Sequence, residues 1–404
     1  MLQQLKWISL SQLANFVVPV ALIPVLAHRL GVIGFASFAV LTGISQYATL
    51  GVELGLNYVA LTEIKRCMSA VEEKRIFSEV FYVKILLALV VGCTLTAVVA
   101  ASQLSKIVNG FAFAFLISGS LITCIIFPAW FFVLKNRLDI NFKIAFGSRL
   151  ALLLLCLLIV RSPKDYIRAT FLFNFGLIPL ACIYSKHWIL NVGGPGTIRV
   201  AAMRKALLRG VQLSGAMLRE TITNFGIAPL YGLFVFDAAI GTYAFAEKLS
   251  KVITMPAPLV TSAVIASTPN EESEIPIPRF VRRLPLWVVL LAVLLLYVSA
   301  ALSFREVVIL VAPQFKSSVP LAFALLSISP VVYFNYLEIG MRYTKQGRFR
   351  EAGRLSYVYV VLLLVSSLLL GSRFGIWGLA VACVTTEIIQ MCILLRCRGD
   401  NAAR

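Results

Sequence analysis

The stretch "EVFYVKILLALVVGCTLTAVVAA", residues 79–101, decides the fold class of this chain. Its charged side chains, Glu79 and Lys84, both lie near its start, and the remainder is almost wholly apolar. An α-helix rises about 1.5 Å per residue, so about 20 apolar residues cross the hydrocarbon core of a bilayer. This stretch therefore predicts a transmembrane helix.

Similar apolar stretches fill the chain from end to end. Of its 404 residues, 60% are hydrophobic and 14% are charged, whereas soluble domains carry about 25% charged residues. We predict an all-α polytopic membrane protein with about twelve transmembrane helices. The predicted spans are residues 7–27, 35–58, 79–101, 111–134, 144–160, 167–186, 211–235, 239–266, 284–303, 318–340, 355–371 and 374–395.

The 37 Lys and Arg residues predict how these spans are oriented. Successive connections between spans lie on opposite sides of the membrane and therefore form two sets. One set carries 24 of these residues, the other carries 8, and five lie inside the spans. Cytoplasmic loops of membrane proteins carry an excess of Lys and Arg. Both chain termini are therefore predicted to be cytoplasmic.

The chain divides at its longest connection, which contains "NVGGPGTIR". We predict an N-terminal six-helix bundle at residues 1–190, a cytoplasmic linker at 191–210 and a C-terminal six-helix bundle at 211–404. Because six is even, both halves would begin on the same side of the membrane, as in a parallel repeat. The similarity of "VIGFASFA" (32–39) to "AIGTYAFA" (239–246) supports this repeat.

Several functional classes lack their expected motifs. The net charge of +19 is spread between apolar spans instead of a soluble module, which argues against nucleic acid as a partner. The eight cysteines include no CxxC pair and the histidines are only His28 and His187, so we predict neither a disulfide framework nor a metal site. The chain also lacks a GxxxxGK[ST] loop for an ATP-driven pump and a DxD pair for a glycosyltransferase. We therefore predict a protein that is not an enzyme and needs no cofactor.

Charged residues nevertheless occur inside the spans, most densely in "YAFAEKLSK" (243–251). This stretch carries Glu247, Lys248 and Lys251, and a charge near the bilayer centre costs a few kcal/mol on insertion scales. At about 1.5 Å per residue, Glu247 and Lys248 lie near the midplane, and Lys251 lies at the depth of Arg219 in the preceding span. The sequence thus predicts a charge cluster between the seventh and eighth spans.

Arg219 and Glu220 complete this cluster, and its formal charge is then +1. Two interpretations are open. The charges could form a buried ion-pair network that locks the two helices together, or they could line a water-filled cavity that attracts an anion. The surplus positive charge favours the cavity. We predict that Arg219, Lys248 and Lys251 bind substrate, and that Glu220 and Glu247 couple transport to an ion or act as charge partners.

Other charges also lie inside predicted spans. Glu387, about midway along the last span with Gln390 one turn further on, is another candidate for ion coupling or charge pairing. Its partner is not evident from the sequence. Glu53 and Lys84 lie at comparable depths near the predicted cytoplasmic ends of neighbouring spans. They predict an interfacial ion pair or snorkelling side chains.

Four motifs in chain order carry a resemblance to a known family. They are "LAHRLGVIGFASFAVLTGISQYATLGVELGLNYVALTEIKR" (26–66), "FSEVFYVKILL" (77–87), "FPAWFF" (127–132) and "GTYAFAEKLSKV" (241–252). With them the chain resembles the polysaccharide transporter family, which includes Wzx-type O-antigen flippases. That family lies within the multidrug/oligosaccharidyl-lipid/polysaccharide exporter superfamily.

The resemblance implies two six-helix bundles around a central cavity lined by the first, second, seventh and eighth spans. The implied substrate is an undecaprenyl-pyrophosphate-linked oligosaccharide, moved across a bacterial inner membrane by an ion gradient. A polysaccharide polymerase and chain-length proteins are implied partners, together with membrane lipid. An ion-coupled multidrug exporter of the same superfamily stays open as an alternative, as does a membrane polysaccharide polymerase or a non-transporting scaffold from another class.

Overall fold

The computed structural model describes residues 2–64, 69–127, 138–192, 196–197, 200–254, 306, 312–326, 328, 331–332, 335 and 349–402. Within these residues the regular structure is helical, without any strand. The helices are α1 (Leu2–Glu53), α2 (Leu56–Ile64), α3 (Ala70–Ala101), α4 (Gly110–Ile126), α5 (Leu138–Ile159), α6 (Tyr166–Phe175), α7 (Ile178–Val192), α8 (Val200–Phe225), α9 (Ala228–Tyr231), α10 (Ala238–Thr254), α11 (Ser318–Leu326) and α12 (Phe349–Ala402). Short 3₁₀ turns occupy Gln103–Lys106, Pro163–Asp165 and Pro313–Phe315.

Two of these helices each contain two predicted spans. Helix α1 bends at Gly31, where φ is 65°, and α12 bends at Gly375, where φ is 59°. Glycine adopts positive φ at little steric cost, so the chain changes direction at one residue without a polar loop. The sequence predicted separate spans at these places, and the structure replaces each connection with a sharp kink.

Other predicted spans are interrupted. The second span breaks between α1 and α2, where Leu54 and Gly55 have φ of 34° and 74°. The seventh span breaks between α8 and α9 at Gly226, where φ is 84°, and Pro229 follows in the short helix α9. Helix breaks at membrane depth require that other groups satisfy the freed backbone atoms.

Three helical segments in the described part of the chain are long and apolar enough to cross a membrane. They are Leu22–Glu53, Ala70–Ala101 and Glu351–Arg396, and Gly110–Ile126 and Phe146–Ile159 are shorter apolar helices. The count of twelve spans and the sides of the termini stay predictions. The predicted span 284–303 and the end of 239–266 lie outside the described residues.

The second part of α1 packs along α8, α9 and α10 through small residues. Gly43 lies against the ring of Pro229, Gly232 lies against Val40, and Gly241 lies against the carbonyl oxygen of Val32. Small residues let transmembrane helices approach closely, which strengthens their van der Waals contact. The packing therefore holds the N-terminal half of the chain directly against the break at Gly226.

Candidate functional site

The break at Gly226 gives the intramembrane Glu247 a structural partner. The side chain of Glu247 is buried, and its Oε1 accepts a hydrogen bond of 3.0 Å from the backbone N–H of Ile227. On the other side of the break, the Tyr47 hydroxyl donates to the carbonyl oxygen of Gly226. An unsatisfied backbone group would cost several kcal/mol in lipid, so Glu247 and Tyr47 stabilise the interrupted helix.

Tyr243, one turn before Glu247 on the same helix, connects α10 to α12. The Tyr243 hydroxyl lies 3.5 Å from Oε1 of Glu247 and 3.3 Å from Sγ of Cys383. Tyr243 is fully buried. A buried polar chain of this kind fixes the relative position of its helices when its members are hydrogen-bonded.

A second buried charge, Glu387, finds its partners on α8 and in the segment before α12. Its Oε2 lies 3.4 Å from Nη2 of Arg219, and both side chains are almost wholly buried. The Asn335 amide nitrogen donates to the same Oε2 at 2.7 Å and to the Glu387 backbone oxygen at 3.0 Å. The Arg219 guanidinium lies 5.0 Å from the ring centroid of Tyr359, a distance at which a cation is attracted to an aromatic face.

A cavity of about 70 Å³ lies between these two carboxylates. Glu247 and Ser250 line one wall, and Tyr359, Cys383 and Glu387 line another. A cavity needs about 10–15 Å³ of such volume to hold one water, so this one has room for several waters or a hydrated ion. The remaining lining is apolar: Ile222, Ile227, Leu325, Ile328, Val332 and Leu363.

The structure divides the predicted charge cluster among different partners. Arg219 reaches Glu387 on α12, whereas Glu247 reaches the break at Ile227. Lys248 is half-buried, with Nζ 5.4 Å from the ring centroid of Phe225. The side chains of Glu220 and Lys251 lie outside the described residues. Their predicted roles, and those of Arg219, Lys248 and Glu387, stay predictions.

Lys84 and Glu53 form a polar chain in the N-terminal half. Lys84 is 3% exposed, so it does not snorkel. Its Nζ donates to the Asn57 side-chain oxygen at 2.9 Å and to the Cys124 carbonyl oxygen at 3.2 Å. Asn57 in turn donates to Oε1 of Glu53 at 2.9 Å. An amide therefore connects the two charges that the sequence predicted to pair directly or to snorkel.

Sequence reasoning missed Tyr47, Asn335, Tyr359 and Gly226. Gly226 had a usable signal, because a glycine three residues before Pro229 indicates a helix break. The other three carry no local signal. Each contacts a residue far away along the chain, and this contact exists only after the helices pack.

Comparison with known proteins identifies the family of this chain. The family model described as "Polysaccharide biosynthesis protein" matches residues 1–266. The chain belongs to this polysaccharide biosynthesis protein family. The resemblance to polysaccharide transporters predicted from the sequence is thereby confirmed.

Two curated relatives of this family member carry the name "Putative O-antigen transporter". The one from Escherichia coli (strain K12) is 23% identical over 257 residues, which cover 61% of this chain and 60% of the relative. The one from Shigella dysenteriae is 21% identical over 399 residues, which cover 95% of this chain and 96% of the relative. The second alignment extends the similarity beyond the part that the family model matches.

Solved structures with the same fold are MATE transporters. An inward-facing multidrug resistance MATE family transporter of the MOP superfamily matches with a TM-score of 0.60 at 14% identity, over 98% of this chain and 94% of that chain. A point mutant of the Vibrio cholerae MATE transporter VcmN matches with a TM-score of 0.52 at 11% identity, over 99% of this chain and 95% of that chain. At these identities the likeness establishes the fold, and the polysaccharide biosynthesis protein family member has a helical MATE-like fold.

Proposed function

We propose that this protein is a flippase that moves an undecaprenyl-pyrophosphate-linked oligosaccharide across the bacterial inner membrane. The observation that carries the proposal is the cavity between Glu247 and Glu387, with Arg219 held against Glu387. Charged residues inside a membrane are costly and mark substrate or ion pathways. The family and the names of its O-antigen relatives supply the substrate class.

The proposed substrate has an anionic head group and polar sugars. A pyrophosphate needs cations and water along its path, because its charge cannot cross an apolar region unpaired. Arg219, Lys248 and Lys251 are the cations that we assign to this path. Among them, Lys248 is half-buried, and its Nζ lies 5.4 Å from the ring centroid of Phe225.

We propose that an ion gradient drives the movement through Glu387 and Glu247, with Glu220 as an additional charge partner. An ionised Glu387 attracts Arg219. Protonation of Glu387, or a bound cation beside it, weakens that attraction and makes the guanidinium available to an anion. Glu247 lines the same cavity as Glu387, so the two carboxylates are placed to share one coupling ion.

The proposed architecture follows the sequence. Residues 1–190 and 211–404 form two six-helix bundles around a central path, and residues 191–210 connect them in the cytoplasm. Helix α8 already begins at Val200, so the proposed connection is partly helical. In this arrangement α12 and α10 bring the coupling carboxylates into the second bundle.

Deletion of the gene tests the substrate class. We expect lipid-linked repeat units to accumulate on the cytoplasmic leaflet, and the wild-type gene to reverse this. Loss of drug resistance with normal lipid-linked intermediates would instead favour a multidrug exporter.

In vesicles that contain ATP, collapse of the ion gradients should stop the movement, and unchanged movement would contradict ion coupling.

A further inference from the structure

The break between α1 and α2 lies where the two halves of the chain meet. Leu54 and Gly55 have φ of 34° and 74°, so α1 ends at Glu53 and α2 begins in a new direction at Leu56. Gly210 of α8 packs directly on this break, since a Cβ there would lie 2.5 Å from the Leu54 carbonyl oxygen. Helix α2 is therefore a short segment held between the first half and the start of α8.

In the described residues, the contact between α2 and α8 combines an apolar cluster with an ion pair. Ala60 of α2 and Ala206 of α8 are buried in one apolar cluster. The cluster also contains Leu56, Phe77, Val80 and Val83. Next to it, Glu63 of α2 forms an ion pair with Arg209 of α8, and their side chains are 25% and 46% exposed. Large apolar side chains of α3 complete this cluster, and the ion pair is the charged contact that the described residues place between α2 and α8.

The hinge end of α2 is tied to the first half. Asn57 in the first turn of α2 bonds to both Glu53 and Lys84, and Lys84 is also anchored to the Cys124 carbonyl oxygen. This polar chain crosses the break. It keeps the start of α2 attached, and the far end carries Glu63, which pairs with Arg209.

The second part of α1, which follows Gly31, makes different contacts at its other end, near Phe35. Phe35 contacts Phe245 and Phe315, with ring centroids 5.7 and 5.6 Å apart. Gln314 donates to the carbonyl oxygens of Ala27 and His28 at 3.0 and 3.1 Å. An aromatic cluster closes this end, and an apolar cluster with an ion pair closes the other.

We propose that α2 is a hinged gate at the end of the transport path that the Lys and Arg distribution predicts to be cytoplasmic, with the Glu63–Arg209 ion pair as its latch. The inference rests on the proposed transport function. Leu54 and Gly55 form the hinge, and Lys84 with Asn57 positions it. Opening breaks the ion pair, separates Ala60 from Ala206 and exposes the path between the halves.

Thiol accessibility tests the gate without any substrate. A cysteine placed by Ala60→Cys, at a position that is 0% exposed, is exposed to a membrane-impermeant maleimide only when the cluster that contains Ala60 and Ala206 opens. Inside-out vesicles are labelled for increasing times, and mass spectrometry of the peptide containing residue 60 keeps the native cysteines out of the measurement. Protein amount and elution volume in detergent confirm that each variant is folded.

We expect Glu63→Gln and Arg209→Gln each to raise the labelling rate about two- to fivefold, the range expected for a partly exposed ion pair. The charge exchange Glu63→Arg with Arg209→Glu should return it toward the wild-type rate. Glu79→Gln is the matched control, because Glu79 pairs with Arg75 at 3.6 Å within α3 and its side chain is 12% exposed. It should leave labelling unchanged.

Equal labelling in Glu63→Gln and Glu79→Gln variants would overturn the gate, as would rapid labelling in the wild-type background. Increased labelling that the charge exchange fails to lower would overturn the latch. A different result would contradict the proposed function while leaving the gate intact. If the gate variants label as expected but lipid-linked oligosaccharide is not moved by the wild-type protein, the gate stands and the substrate assignment falls.

Discussion

The carboxylate of Glu247 lies against the Cα of Gly226, where a Cβ would overlap both carboxylate oxygens. The same residue has φ of 84°, and a left-handed conformation costs a non-glycine residue about 1–2 kcal/mol. Position 226 thus requires glycine for its backbone conformation and for the space that Glu247 fills. The break in the seventh span and the buried carboxylate depend on each other.

Gly226→Ala should therefore lower the stability of the protein by more than the cost of the left-handed backbone conformation alone. We expect the loss of about 1–2 kcal/mol for the left-handed conformation and a further ~1–3 kcal/mol as Glu247 is displaced from the Ile227 N–H. Gly375→Ala is the control, since Gly375 has φ of 59° and a Cβ at that position would meet no atom within 4 Å. Thermal unfolding in detergent compares the two, and equal losses would contradict the dependence on Glu247.

The Arg219–Glu387 pair should show strong coupling. Replacing either residue with Gln strands a buried charge, which costs about 3–5 kcal/mol when a buried pair is broken. The double variant leaves no stranded charge and should be more stable than the sum of the single losses predicts. Protein level and unfolding temperature of the wild type, both singles and the double measure this. Additive losses would show that the two side chains do not stabilise each other.

The positions of charged residues along the predicted spans indicated which charges are buried, but they did not indicate which groups these charges contact. Arg219, Glu247 and Glu387 were assigned to spans by counting, and the structure buries all three side chains. Spacing of four residues, such as that between Glu247 and Lys251, brings together only neighbours on the same helix. Ile227 lies across a helix break and Asn335 lies on another segment, so these contacts arise from tertiary packing.

The helix boundaries failed for a related reason. Hydropathy detects a span by its apolar length, and it expects polar residues between spans. Gly31 and Gly375 turn the chain at single positions, so the polar residues that mark the connections, such as Arg29 and Arg373, stay within helices. The all-helical class was predictable, whereas the kinks depended on backbone conformation.

Lys248 and Lys251 should affect export without affecting folding. If they attract the pyrophosphate, Lys248→Gln and Lys251→Gln should each reduce export while the protein inserts at normal levels. Lys106→Gln, at an exposed position in the Gln103–Lys106 turn, is the control for loss of a lysine charge. Export and protein level are measured in the same cells.

The structural alternative for Lys251 predicts a different pattern. In a locking network, the loss of Lys251 leaves Glu247 with one partner fewer, so protein level falls. Glu247→Gln together with Lys251→Gln would then restore the level. Low abundance rescued by that double change would remove Lys251 from the substrate path.

Reporter fusions should reveal the orientation that the 24-to-8 charge asymmetry predicts. Fusions after Arg75, Arg209 and Arg354 should report a cytoplasmic location, and fusions after Lys106 and Lys316 a periplasmic one. Reversal of the two groups would place the α2 end of the molecule on the periplasmic side. It would also remove the cytoplasmic assignment of residues 191–210.

The turn before α6 should make stability depend on pH. Oδ2 of Asp165 accepts hydrogen bonds from the backbone N–H groups of Arg161 and Ser162 at 3.1 and 2.9 Å, and from the Ser162 hydroxyl at 2.9 Å. Oδ1 accepts one from Arg168 at 2.8 Å. The Arg161 backbone N–H and then the Ser162 hydroxyl contribute most to lowering the pKa of Asp165 from its ordinary value of 3.8.

A lowered pKa in the folded protein means that the ionised carboxylate stabilises the fold. That contribution is complete above about pH 5, where the unfolded chain is also ionised, and it is lost as the pH falls through the folded pKa. Asp165→Asn should cost about 1–3 kcal/mol at neutral pH, because the charged acceptor is removed. Asp237→Asn is the control, since Oδ1 of Asp237 accepts a hydrogen bond of 3.1 Å from the Ile240 N–H, which an amide oxygen can also accept.

Unfolding temperatures of the wild type and the Asp165→Asn variant, measured across a range of pH, test this dependence. Their difference should stay constant from about pH 7 to 5, because the carboxyl group is ionised in both the folded and the unfolded wild type there. It should narrow below 3.8, the ordinary pKa of the group. A difference that widens as the pH falls would show that the carboxyl group is protonated more easily in the folded protein, contrary to its hydrogen-bond pattern.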